Sequence, residues 1–170
     1  MIEILLAAAA QLAQPACTID RQVYRLQEDR RFSAGFARLD PRLPGASGLA
    51  FWLKTPKRTY WFSFHAPNGY GGTVIMPGAD PESAARTLRD DAPEPAPAGE
   101  PPVLIPFDAF RPDLSDYTAP PQVGDPAPAR LFARELGAAL WYDPARLSGD
   151  GAAAAEAMPI GMFAPAECRR

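Results

Sequence analysis

Proline stands at 21 of the 170 positions of this chain, against a usual ~5%, and it governs what the chain can build. Its ring removes a backbone donor and is excluded from helix interiors and central ladder positions, so prolines are expected between elements. The chain is therefore read as many short elements rather than a few long ones. The densest group is "APEPAPAGEPP", residues 92–102, with five prolines in eleven residues. Such a stretch favours an extended, solvated, polyproline-like connection. It is read as a long loop inside one domain, because the 68 residues after it are few for an independent core.

Between the prolines the clearest pattern is strand. "GLAFWLKTPKRTYWFSFHA" holds two aromatic runs, 49–53 and 59–65, around a polar Lys/Pro/Lys/Arg turn, which is a hairpin signal. "TVIM" after the Gly/Asn loop 66–72 extends it to a three-stranded antiparallel meander. "QVYRL" and "FSAGFARL" are weaker strand candidates by partial period-two alternation, and "VLIPFDAF" is read as a further strand. "DPESAARTLRD" reads as a short helix with Asp80 as N-cap and Pro81 at the first helical position. Over 127–142 the residues divide: Leu131, Glu135 and Ala139 suit a helix, whereas Gly137 and "ALWY" suit two short strands, the lean at the end being to strand. "SGDGAAAAEA" is read as a surface connection, and "MPIGMFAPAEC" returns the chain toward its start. No repeat of fixed period is present.

The first 16 residues, "MIEILLAAAAQLAQPA", carry an apolar run of signal-peptide length, too short to span a bilayer. Glu3 and the absence of Lys or Arg count against export. Ile2, Leu5, Leu6, Ala9, Leu12 and Ala13 also suit an amphipathic first helix, which would leave the protein in the cytoplasm. The two cysteines tilt the reading to a signal peptide over 1–16 and a mature domain over 17–170. Cys17 and Cys168 bracket that domain, and a disulfide between them would join the two termini in an oxidising compartment. The competing use of Cys17, as a lipid anchor, requires a leucine-led lipobox that Gln14, Pro15 and Ala16 match poorly.

Composition narrows the partners. The hydrophobic fraction of 47% and the charged fraction of 22% are those of a soluble globular chain. A formal charge of −3, with 17 basic residues scattered, argues against nucleic acid, which requires a basic face. One histidine and two distant cysteines are too few nitrogen and sulfur ligands for a zinc site, "SGDG" before Glu156 lacks calcium-loop spacing, and no cofactor is implied. "GASGL" around Ser47 lacks the second spaced glycine of a nucleophile elbow. "NGYGGT" lacks the Lys-Ser/Thr ending of a phosphate loop. Asp90 with Asp91 reads as a solvated charged turn.

Two functional candidates survive. On the strand 59–65, Tyr60, Phe62 and Phe64 share one face, and Thr59, Trp61, Ser63 and His65 the other. His65, the only histidine, could serve a small hydrolase as general base, yet Ser63 lies roughly 7 Å along the strand and no orienting acid is adjacent. The other candidate is binding. Trp52, Trp61, Tyr70, Trp141 and Tyr142 are more large aromatics than one small sheet buries on one side. Trp61, His65, Asn68 and Tyr70 would then form an amphipathic platform for a sugar, a peptide or an apolar ligand. The expected protein is thus mainly β, one small domain of antiparallel strands, a sandwich or partly open barrel with one or two short helices. It is expected to be a periplasmic or extracellular, monomeric, non-catalytic bacterial protein without a transmembrane span.

Overall fold

A computed structural model describes residues 17–43, 47–66, 72–90, 101–148 and 150–170. Residues 1–16, read above as a signal peptide, and Asn68, Tyr70, Asp91 and most of the proline-rich stretch lie outside the described residues. The described chain forms one antiparallel sheet of nine strands: β1 (Gln22–Leu26), β2 (Ser33–Arg38), β3 (Leu49–Lys54), β4 (Thr59–His65), β5 (Val74–Pro77), β6 (Ile105–Pro106), β7 (Asp108–Phe110), β8 (Arg130–Phe132) and β9 (Phe163–Cys168). Three short helices accompany it, α1 (Pro81–Asp90), α2 (Leu136–Tyr142) and α3 (Pro144–Leu147).

The spatial order is β6-β5-β4-β3-β2-β1-β9-β8-β7. The two strands at its ends, β6 and β7, are consecutive halves of one run of chain separated only by Phe107. The first half pairs with β5 (Ile75↔Ile105) and the second with β8 (Ala109↔Leu131), so the sheet returns on itself as a nearly closed barrel. Strand order follows chain order all the way round. The mainly-β reading holds, and of its two architectures the barrel is the one formed, with one more helix than expected.

The alternation seen in the sequence explains the interior. Tyr24, Phe36, Phe51, Phe62, Phe64 and Phe107 are all buried. Phe107 lies 5.1 Å from Phe51 and 5.3 Å from Phe64 between ring centroids, and Phe36 stacks on Phe64 at 6.0 Å. With β6 and β7 sharing one position in the wall, the barrel has about eight staves, a size whose interior side chains fill. The Tyr24 hydroxyl, buried among them, donates to the Pro128 carbonyl at 3.0 Å.

Pro81 and Pro144 open α1 and α3, and three prolines fall within strands, against the expectation that prolines lie between elements. Pro77 ends β5, Pro106 stands where the run 105–110 changes partners, and Pro165 adjoins a bulge in β9. Each occupies a strand end or irregularity, where a missing donor is tolerated. The other correction concerns "ALWY", which is helix α2 and not strand. Leu136, Ala139 and Leu140 bury one helical face. Gly137 serves close packing instead of a turn: a Cβ there would lie 2.8 Å from the Met158 carbonyl oxygen.

The expected covalent tie is formed. Cys17 and Cys168 are disulfide-bonded with their Cα atoms 5.9 Å apart. Beside them the Ala127 N–H donates to the Cys17 carbonyl at 2.9 Å, and the Arg169 N–H to the Arg21 carbonyl at 2.9 Å. Among the described residues no helix is long and apolar enough to cross a membrane.

Candidate functional site

Because Tyr60, Phe62 and Phe64 fill the interior, Trp61 is forced onto the outer face of β4, where it is half-buried. Its cross-strand partner is Trp52, which in turn faces Gly35. Trp52 is only 7% exposed although it points outward. Its indole lies over Gly35, where a Cβ would come within 2.5 Å of the ring, and the Arg169 guanidinium stands 5.0 Å from the ring centroid on its other side. Glycine at 35 therefore makes room for an outward tryptophan to lie against the sheet, and that tryptophan flanks Trp61.

A strap follows β5. The Gly78 N–H donates to the Trp61 carbonyl at 2.8 Å, and the position admits little more than hydrogen, since a Cβ would lie 3.2 Å from the Ser63 nitrogen. The strap delivers Asp80, whose Oδ1 accepts the Glu82 N–H at 3.2 Å and whose Oδ2 accepts the Ser83 hydroxyl at 3.1 Å, capping α1 as expected. On the other side of Trp61, Arg58 donates from Nη2 to Asp150 Oδ2 at 2.9 Å. That bond, with the Ala152 N–H at 3.1 Å, holds the Asp150 carboxyl well below the usual carboxylate range. Between strap, strand and the Asp150 loop lies a cleft of about 430 Å³, lined by Thr59, Trp61, Asp80, Arg58 and Asp150.

One wall is anchored from beneath. Glu156 is 5% exposed, and its Oε1 accepts the Thr55 hydroxyl at 2.9 Å and the Tyr60 hydroxyl at 3.2 Å. Burial, followed by the Glu156 charge and bond, pushes the Tyr60 phenol up to about 12. Lys57 donates from Nζ to the Ala155 carbonyl at 2.9 Å, and Arg58 lies over the Tyr60 ring at 5.5 Å. The turn 55–58 and the loop 150–156 are thereby tied into one rim. Glu156 corrects the reading of "SGDGAAAAEA" as a surface connection: its flanking residues are largely exposed, while its own carboxylate is drawn inward by two hydroxyl donors.

Trp61 and His65 share the outer face of β4 but stand four residues apart, roughly 13 Å along the strand. His65 is exposed at the strand end opposite Val74. Trp61 is thus grouped with Arg58, Asp80 and Asp150, which sequence reasoning did not connect with it. Two others of the aromatic set, Trp141 and Tyr142, are 51% and 78% exposed on α2. Ser47 takes the Leu49 N–H on its hydroxyl at 3.2 Å, a turn-closing role. Among the described residues no group of three or more His, Cys, Asp or Glu side chains is placed to hold a metal ion.

The fold and cleft define a nearly closed up-and-down antiparallel barrel with a filled interior and a polar, tryptophan-lined depression on its outer wall. No protein-family model, curated protein or solved structure matches the chain.

Proposed function

We propose that this is an exported, non-catalytic binding domain of a bacterial envelope, periplasmic or extracellular, that takes its ligand in the Trp61 cleft. The observation that carries the reading is a half-exposed indole lining a concave site whose two sides are held in place by hydrogen bonds. Side chains fill the barrel's interior, so the outer wall offers the recognition surface. The cleft's volume falls within the roughly 300–1,000 Å³ of small-ligand sites. Bonded cysteines in a chain of this kind favour an oxidising compartment, and the leader 1–16 supplies the route there.

Two measurements test it. Expression of the full chain in a bacterium, followed by cell fractionation and mass spectrometry of the mature N-terminus, is expected to find a periplasmic or secreted protein beginning near Cys17. Recovery in the cytoplasm with residues 1–16 attached would overturn the exported reading. For binding, intrinsic tryptophan fluorescence is expected to respond to ligand in the wild type and not in Trp61→Ala.

A further inference from the structure

We propose that the cleft binds a neutral or amino-substituted saccharide with one sugar ring stacked on Trp61, an inference that rests on the cleft being the binding site. A sugar ring presents an apolar C–H face and a polar hydroxyl rim. The cleft offers the complement of both. The indole of Trp61 supplies a flat apolar surface, and its neighbour Trp52, held between Gly35 and Arg169, gives it a rigid flank. Rigid aromatic surface lowers the ordering cost of binding.

The rim is polar on both sides, and its acceptors keep capacity for a ligand. Each oxygen of the Asp80 carboxylate accepts one internal hydrogen bond, and the Asp150 carboxylate accepts from Arg58 and the Ala152 N–H, with the Ser148 hydroxyl as a third donor beside it. An ionised carboxylate has about four lone-pair sites, so both groups retain acceptors for hydroxyls. The Thr59 side chain is exposed on the same strand face.

The alternatives fit less well. An apolar ligand would cover two carboxylates and a guanidinium without pairing them, which is costly. An extended peptide recognised through its backbone needs an open strand edge. β4 has none in this stretch: β3 pairs along one side, and the Gly78 N–H takes the Trp61 carbonyl on the other. An anionic sugar would meet two carboxylates against one arginine, and that arginine is already bonded to Asp150. Hydroxyls and ammonium groups suit this charge balance.

The experiment titrates the mature, oxidised protein with three probe classes, followed by tryptophan fluorescence and calorimetry. The classes are neutral and amino oligosaccharides (gluco-, manno- and chito-oligosaccharides), a uronic-acid oligosaccharide, and non-sugar probes comprising an unstructured decapeptide mixture and anilinonaphthalene sulfonate. A neutral or amino sugar is expected to bind, with Trp61→Phe close to wild type and Trp61→Ala weakened by about tenfold or more, as for an aromatic anchor. Thr59→Arg, which fills the cleft from an exposed position without removing packing, is expected to abolish binding in a protein whose thermal melt is unchanged, so a folding defect in Trp61→Ala leaves the test intact. Binding of only the uronic-acid sugar, or of only peptide or naphthalene probe in a Trp61-dependent way, overturns the saccharide inference and leaves the cleft as a site. Absence of any response, or binding indifferent to both variants, overturns the cleft itself.

Discussion

Cys17 and Cys168 are bonded where the barrel wall is thinnest. β8 and β9 share a single register pair, Leu131↔Phe163, while the segment containing Cys17 reaches across to Ala127 and β9 carries Cys168 at its far end. The disulfide closes a separation of 151 residues, which in the chain-entropy account constrains the unfolded state by up to about 5 kcal/mol. Reduction, or the pair Cys17→Ser and Cys168→Ser, is expected to lower unfolding free energy by about 2–5 kcal/mol in urea titrations. Hydrogen exchange should then accelerate first over 125–132 and 163–168. An unchanged urea midpoint would show that the hydrogen-bonded wall suffices without the bond.

Gly35→Ala places a methyl group 2.5 Å from the Trp52 ring. Overpacking of this kind costs about 1–3 kcal/mol. Thermal melts should drop, and near-ultraviolet circular dichroism should report a displaced indole. A melt equal to wild type would mean that Trp52 leaves the sheet without cost, and the rigid flank assigned to Trp61 would be lost with it.

Glu156→Ala removes the acceptor shared by the Thr55 and Tyr60 hydroxyls. A buried hydroxyl left without its partner costs about 1–3 kcal/mol. Chemical denaturation is expected to show that loss, with faster exchange in the turn 55–58. Tyr60→Phe in the same background should recover part of it, because one stranded hydroxyl is gone.

The pH dependence follows from the same phenol. The Tyr60 hydroxyl is raised to about 12 by burial first and by Glu156 next, above the ~10 of an unfolded tyrosine. A raised value means that the folded protein holds this proton more tightly than the unfolded chain. Its stabilisation is complete below pH ~10 and is lost as pH climbs toward 12. Burial also pushes the Tyr24 phenol up, adding to the same decline. Urea midpoints measured from pH 8 to 11.5 should fall at the alkaline end, less steeply in Tyr60→Phe; an identical slope in that variant would dissociate Tyr60 from the effect.

His65→Ala is expected to leave both the melt and ligand binding at the Trp61 cleft unchanged, since the histidine is exposed and about 13 Å along the strand from Trp61. A screen of ester, peptide and glycoside hydrolysis on wild type and variant checks the alternative. An activity present in the first and absent in the second would make the protein an enzyme.

The sheet was legible where chemistry is local. An apolar, aromatic run marked β3, a similar run with alternating faces marked β4, the Lys/Pro/Lys/Arg turn marked their connection, and Asp80 with Pro81 marked the start of α1. The cysteine pairing was legible because only one intramolecular pair exists. Barrel closure was not, because it depends on which neighbour each half of 105–110 chooses, a matter of sequence-distant register. The helix over "ALWY" was obscured by the strand preference of Trp and Tyr, although Leu136, Ala139 and Leu140 at helical spacing carried the signal. The polar rim of the Trp61 cleft comes from the segments around Arg58, Asp80 and Asp150, which meet only in three dimensions. Glu156 was hidden in an alanine-rich stretch whose composition says solvent while two distant hydroxyls say otherwise.

The divided run 105–110 also bears on how the molecule behaves among its own kind. Open sheets expose two rims of unpaired amides and carbonyls that invite another chain to dock and grow. Here a single stretch supplies both would-be rims and spends them on β5 and β8 within the same molecule. Among the described residues, crowded copies of this protein are left with little free strand edge through which to zip together.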